Sequence, residues 1–397
     1  MIVTAFTDPR HARARSMGAA IVCATLSGCG FSLLMPVMAL NLEDMTGSGF
    51  IVGLNGMIAA LSTLIAAPFV PRLLQVFPGR PLIIASLLLG ALTLVIFPAV
   101  PDVTLWFVLR FGLGAFISVV FVTSETWINQ IADPARRATI LGMYATALAS
   151  GFGAGGLLFA WLGHTGLAPW IAGIMLFCIG TLPVLFLRGP SVQPPGIEEA
   201  GLGAMLSAAK TARLAIAAAL LFGATETIFF SLVPVYGVRI DLPPEAVGLM
   251  MAAGALGGIA MQVPIGWLAD RFGRTNALLA ISLICLLGPG IIYLAGANAP
   301  VLYAIMFIYV GVTMSLYTVG LSLIGERFSG GAIAAANAAF IFMYGAGSLV
   351  APLAGGAAID WVNPYGLLIV LFAFAVCFIV FALNEMRKRP PKPLEGS

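Results

Sequence analysis

Charge is what this chain has least of. Asp, Glu, Lys and Arg together make up 9% of its 397 residues, where a soluble globular domain carries about 25%. Hydrophobic residues make up 60% and the mean hydropathy is +1.05, so most of the chain belongs in lipid. Histidine is nearly absent: His11 precedes the first apolar run and His164 falls between two others. That scarcity argues against a histidine-built metal centre and against paired catalytic motifs, so an enzyme is not expected. The five cysteines, Cys23, Cys29, Cys178, Cys285 and Cys377, all sit inside apolar runs. Without metal-ligand spacing they read as packing residues, and no disulfide framework follows from them. Zinc, phosphate-loop and dinucleotide motifs are missing, so no metal and no cofactor are expected. A net charge of +3 gives no reason to expect a nucleic-acid partner.

What the chain has is apolar length. Runs near 17–40, 49–71, 80–100, 103–130, 137–161 and 167–187 are each about as long as a membrane span requires, ~20 residues. Six more lie near 213–236, 245–266, 275–296, 300–325, 332–358 and 363–384. The first run lacks a small-residue cleavage site and reads as a retained helix. Between the two sets lies 188–212, with Pro190, Pro194, Pro195, Glu198, Glu199 and Lys210, the one long polar segment and the natural linker. The expected organisation is 1–187 as a first bundle, 188–212 as a linker, and 213–397 as a second bundle with a basic tail. Twelve spans bring both ends to one face. Of the nineteen Lys and Arg residues, all but Arg110 and Arg239 fall at the termini or in the loops of that face. The other loops hold Glu43, Asp44, Asp102, Asp241, Glu245 and Asp360. By the positive-inside rule both termini are expected in the cytoplasm.

The halves repeat. Leu34-Met35-Pro36-Val37 returns as Leu232-Val233-Pro234-Val235, and Gly79-Arg80 as Gly273-Arg274. A repeat of six spans preserves orientation, so the halves are parallel repeats about an axis along the membrane normal. Between the eighth and ninth runs stands Gly266-Trp267-Leu268-Ala269-Asp270-Arg271-Phe272-Gly273-Arg274. Gly266 can let helices approach closely, Asp270 can accept backbone N–H groups where the next helix begins, and Gly273 can take a left-handed turn. This stretch resembles the signature loop between the second and third helices of each half in the major facilitator superfamily, with Thr275 where a basic residue is usual. The first half departs, with Arg72 and Val76 in place of the glycine and aspartate. The resemblance implies an all-α polytopic membrane protein of twelve transmembrane helices in two parallel-repeat six-helix bundles.

Ionisable residues within spans are costly and normally face a cavity. Arg110 lies eight residues after Asp102, about 12 Å below that surface at 1.5 Å per residue. It opens Arg110-Phe111-Gly112-Leu113-Gly114, which resembles the arginine-glycine motif of span four in proton-coupled facilitators. The alternative is a structural arginine satisfying neighbouring carbonyls. Glu226 lies thirteen residues into span seven, about 20 Å from its starting face, beside Thr225 and Thr227 and ahead of Phe229 and Phe230. A carboxyl withdrawn from water there suits proton binding and release, unless it is held neutral by a hydroxyl. Span seven lines the central cavity in this superfamily, and Asn55, Tyr144, Gln262, Tyr309, Tyr317, Asn337 and Tyr344 are further cavity candidates, each alternatively a packing residue. Glu125, near Arg136 and Arg137, resembles with Glu326-Arg327 the charge clusters that tie helix ends into a cytoplasmic gate, together with Asp270, Arg271 and Arg274. Gly142, Gly151 and Gly155 partly resemble the glycine motif of proton-coupled drug exporters; close packing is the plainer reading.

The expected protein is a monomeric secondary transporter of the inner membrane, moving a small organic solute by alternating access and coupled to protons, with lipid as its surroundings. Export of amphipathic compounds, uptake of a small nutrient such as a vitamin, and a non-transporting solute sensor remain alternatives. Glu226 and Arg110 are expected to communicate, directly or through water or substrate.

Overall fold

The computed structural model describes residues 9–133, 137–186, 190–193, 202–328 and 331–387. Among the described residues twelve helices are long and apolar enough to cross a membrane. In the first half they are Pro9–Thr46, Gly49–Val76, Gly79–Ala99, Val103–Ile131, Arg137–Leu162 and Ala168–Phe186. In the second half they are Arg213–Ser231, Pro244–Phe272, Arg274–Ala295, Ala299–Arg327, Gly331–Trp361 and Gly366–Arg387. We number them spans one to twelve. The start of span one and the end of span twelve lie on the same side, the terminal face. Short helices Leu202–Thr211 and Val233–Arg239 precede and follow span seven.

Spans begin where a polar side chain can take up the free N–H groups of a first turn. Asp102 accepts from the Leu105 amide at 2.7 Å at the start of span four, and Asn298 accepts from Val301 at 3.3 Å at the start of span ten. Prolines break two spans. Span two passes through a 3-10 turn at Ala67–Phe69 before resuming at Val70–Val76, with Pro68 and Pro71 in the first positions of those pieces. Span seven, expected to reach residue 236, stops at Ser231, and the chain restarts at Val233 with Pro234 in the first turn. Proline has no N–H to continue a helical ladder but is tolerated in a first turn. The matching Pro36 of the first half stays inside an unbroken helix.

The halves meet through small residues on the face opposite the termini. A Cβ on Gly53 would strike the Pro352 carbonyl, and one on Gly356 the Gly49 carbonyl, so spans two and eleven are in backbone contact. Spans five and eight meet likewise, Gly248 against Ala160 and Gly156 against Ala252. Nearer the terminal face, Gly142 of span five and Gly266 of span eight have nothing within 4 Å of a Cβ position. Spans five and eight are therefore in contact on the opposite face and leave these two glycines uncovered toward the terminal one, while spans two and eleven still touch at Leu64 and Gly345. Gly266, expected to bring helices together, does not do so in this arrangement.

Candidate functional site

Glu226 is placed by a glycine one turn before it. A Cβ on Gly223 would strike the Tyr344 carbonyl, and Ser348 donates to the Gly223 carbonyl at 3.3 Å. Spans seven and eleven thus pack backbone to backbone. The approach brings the Tyr344 hydroxyl to Glu226 Oε2, to which it donates at 2.7 Å. Tyr344 stacks on Phe222 at 5.5 Å, Phe222 meets Tyr317 at 5.2 Å, and Tyr317 meets Phe340 at 5.4 Å. Glu226 is a half-buried carboxyl held by one phenol at the edge of an aromatic cluster. Such a group can take or release a proton without an ion pair having to break.

Arg110 is 1% exposed and is held without a carboxylate. Its guanidinium lies 5.7 Å from the centre of the Phe31 ring, Nη1 reaches the Met38 sulfur at 3.6 Å, and Nη2 reaches that of Met35. Nε has no partner among the described residues. Thioethers are weak acceptors, so this buried cation is poorly compensated by the protein. Carbonyls of neighbouring helices, the alternative holders, are not what it bonds.

Among the described residues no ion pair joins Arg110 to Glu226. A series of rings runs from the Arg110 site to Phe230, one turn after Glu226 on span seven. Phe31 meets Phe152 at 6.0 Å, Phe152 meets Phe230 at 5.6 Å across the two halves, and Phe230 meets Phe229 at 5.1 Å. Phe121 adds to the cluster, 6.5 Å from Phe152. Phe31, Phe121, Phe152 and Phe222 carried no signal in the sequence, because one phenylalanine among 26 looks like any other until the helices are packed.

The other candidates divide. Thr225 turns its hydroxyl back to the Leu221 and Phe222 carbonyls, both at 3.0 Å. With Phe229 it faces a small cavity of about 20 Å³ enclosed within the second half, which Tyr309 also lines. Thr227 is half-buried and its carbonyl accepts from Ser231 at 2.6 Å. Asn55 is 4% exposed with its Oδ1 unpartnered among the described residues. Tyr144 is buried in the core, Asn337 is half-buried, and Gln262 is exposed on span eight. Two of the three span-five glycines serve packing: a Cβ on Gly151 would strike the Thr25 carbonyl and one on Gly155 the Cys29 carbonyl, both in span one, whereas Gly142 meets open space.

On the terminal face the second half has a connected charge cluster. Arg274 bonds Glu326 at 3.1 Å, Asp270 at 3.6 Å and the Ser322 carbonyl at 2.6 Å, joining spans eight, nine and ten. Asp270, expected from its place in the turn to cap span nine, does not do so; the cap is Gly273, at φ 91°, with no side-chain bond. Arg274 at the next helical turn competes for the carboxylate. Arg271 lies over Trp267 and Phe272, and Arg327 donates to the Thr211 carbonyl at 3.0 Å. In the first half Glu125 is exposed on span four. Arg136 lies outside the described residues, as does the side chain of Arg137.

The first-half loop lacks the aspartate of the signature, and the linker covers it. Val192 packs where a Cβ of Gly79 would be, Trp127 and Ser16 donate to the Pro190 carbonyl at 2.8 and 3.0 Å, and Gln130 exchanges two bonds with the Gln193 backbone. Arg80 lies over Trp127 at 5.2 Å.

The opposite face is fastened by Arg239, a cation set among acids. Its Nε donates to Glu43 of span one at 2.7 Å, and its Nη2 to Asp360 of span eleven at 3.1 Å and to the Gly47 carbonyl at 3.2 Å. Asp360 in turn accepts from the Gly49 and Phe50 amides of span two at 2.7 and 3.0 Å and from Ser48. Burial alone would lower the Arg239 pKa, but the hydrogen bond and charge of Glu43, with those of Asp360, hold it above its ordinary value. One clue to this cluster stood in the sequence, a lone arginine on the acidic side.

The Major Facilitator Superfamily profile matches residues 20–319 and again 241–397. The MFS-type transporter YfkF of Bacillus subtilis strain 168 is 26% identical over 341 residues, 85% of this chain and 86% of that protein. YcaD of Salmonella enteritidis PT4 is 26% identical over 287 residues, 72% of this chain and 73% of that one. Among solved structures, the nucleoside transporter NupG superposes with a TM-score of 0.76 at 17% identity, covering 94% of this chain and 100% of that one. A D-xylose-proton symporter gives 0.73 at 16% identity, over 96% and 98%. The chain belongs to the major facilitator superfamily, and it is an integral membrane protein with the fold of a secondary transporter.

Proposed function

We propose that this protein moves a small organic solute with a flat apolar portion across the cell's inner membrane by alternating access, driven by protons. The single observation that carries the reading is Glu226. It is a lone carboxyl deep in span seven, held by the Tyr344 hydroxyl at 2.7 Å beside rings that run between the halves. A carboxyl so placed can bind a proton and sense a solute at one spot. The ring series favours an amphipathic or aromatic solute over a sugar-like one. One of the superposed proteins is a D-xylose-proton symporter, so the fold accommodates proton coupling. Arg110, poorly compensated by the protein, supplies a second charge that solute or water can satisfy. The basic terminal face is cytoplasmic by the positive-inside rule, and 188–212 links the halves there. The cluster of Asp270, Arg274 and Glu326, and Glu125 with Arg136 and Arg137, belong to the gate on that side.

The test is flux into proteoliposomes across a solute panel, with and without an imposed pH gradient. The expected result is pH-driven accumulation or extrusion of one solute class, abolished in Glu226→Gln at unchanged reconstitution. Full pH-driven flux in that variant would reduce Glu226 to packing. Saturable binding with no flux for any solute would favour a sensor.

A further inference from the structure

On the terminal face of the second half, five elements leave a concave site of about 160 Å³. It lies where the short helix Leu202–Thr211 meets the start of span seven and the ends of spans ten and twelve, with Thr275 of span nine at its edge. Three cations line it, Lys210, Arg213 and Arg327, against one carboxylate, Glu385. Glu385 is engaged by Arg213 at 3.4 Å. Arg327 is steadied by the Thr211 carbonyl at 3.0 Å, and Arg213 Nε donates to the Lys210 carbonyl at 3.0 Å. Among the described residues neither Lys210 nor Arg327 has a carboxylate partner within the site. Two cations without a carboxylate of their own among the described residues thus line the hollow, alongside Thr275; the Thr211 hydroxyl is committed to the Ser207 carbonyl at 3.1 Å.

We propose that this hollow binds a phosphate group, and that the phosphate is carried by an anionic lipid headgroup. The chemistry fits: guanidinium and ammonium donors with hydroxyl groups are the ordinary ligands of phosphate oxygens. So does the position, because the ends of spans lie where headgroups lie, and basic pockets between spans are sites for anionic headgroups. Leu214 and Met386 form an apolar wall beside the cations. Leu206, one turn before Lys210 on the same helix, is 56% exposed. That places an apolar and a cationic side chain on one helical face, as in a helix laid along an interface. Lipid held here is bound whatever solute the protein carries.

The purified protein, in nanodiscs of phosphatidylcholine with or without cardiolipin, tests it. Native mass spectrometry would count retained cardiolipin, and thermal unfolding would give the stabilisation. Lys210→Gln and Arg327→Gln should each weaken cardiolipin binding about fivefold, the worth of one cation near an anionic surface. Arg387→Gln, an equal loss of charge outside the hollow, should leave it unchanged. The Lys210 ammonium has no bond to lose among the described residues, so its variant separates binding from folding. If inorganic phosphate in detergent gives the same Lys210-dependent stabilisation and cardiolipin gives none, the site holds but its ligand is a free phosphate. Equal cardiolipin binding in all the variants, or an equal loss in all of them including Arg387→Gln, would overturn the proposal.

Discussion

Arg110 is an expense to the fold. A guanidinium facing two thioethers and one ring recovers little of the hydration it gave up, and an apolar side chain of similar length would fill its place. Arg110→Met is therefore expected to raise stability by about 1 kcal/mol or more, read as a higher unfolding temperature in detergent, while transport is lost. A variant both destabilised and active would mark Arg110 as structural. Tyr344→Phe keeps the stack on Phe222 and removes only the hydroxyl bonded to Glu226. It should lower the transport rate by less than Glu226→Gln does, and a loss as complete as that of the glutamine variant would assign the phenol a direct part in proton movement.

Two glycines of the spans, Gly223 and Gly266, have opposite surroundings. Gly223→Ala drives a methyl group into the Tyr344 carbonyl of span eleven, and overpacking of this kind costs about 1–3 kcal/mol. Gly266→Ala meets open space and should leave the unfolding temperature unchanged or slightly higher, yet slow turnover if the terminal face must close around it. Thermal unfolding and flux on the same preparations separate these outcomes; equal destabilisation by both would contradict the packing described. Twelve spans, the repeat of six and the reversal at Gly273 were legible in the sequence because apolar length, charge asymmetry and a required positive φ are local properties. Glu226 was legible for the same reason: a carboxyl in lipid stands out wherever it points. Its partner Tyr344 appeared only as one of several tyrosines, and Phe31, Phe152 and Phe230 became a series only after three helices from two halves were packed. Proline misled at the end of span seven, where two copies of one motif take different backbones. Residues 190–193 read as loose linker, yet they bond Trp127 and Gln130, since nothing in a polar stretch announces what it will lie against.

Arg239 joins spans one and eleven across the two halves, so removing it should shift the whole molecule. In Arg239→Gln carrying a reporter Val52→Cys, buried in the first turn of span two in the parent, an impermeant thiol reagent added from the opposite face should label several-fold faster than in the reporter alone. Unchanged labelling would show that the glycine contacts hold that face without the arginine. Those contacts have a further consequence. Gly49 with Gly356 and Gly53 with Pro352 pair span two to span eleven in antiparallel register, as Ala160 with Gly248 and Gly156 with Ala252 pair span five to span eight. Along each seam the meeting points recur every four residues, about 6 Å of helix. Parting the halves is then a matter of releasing successive teeth, starting at the rim where Asp360 grips the first turn of span two and running inward toward Glu226. Such a seam would open contact by contact, one helical turn at a time, rather than all at once.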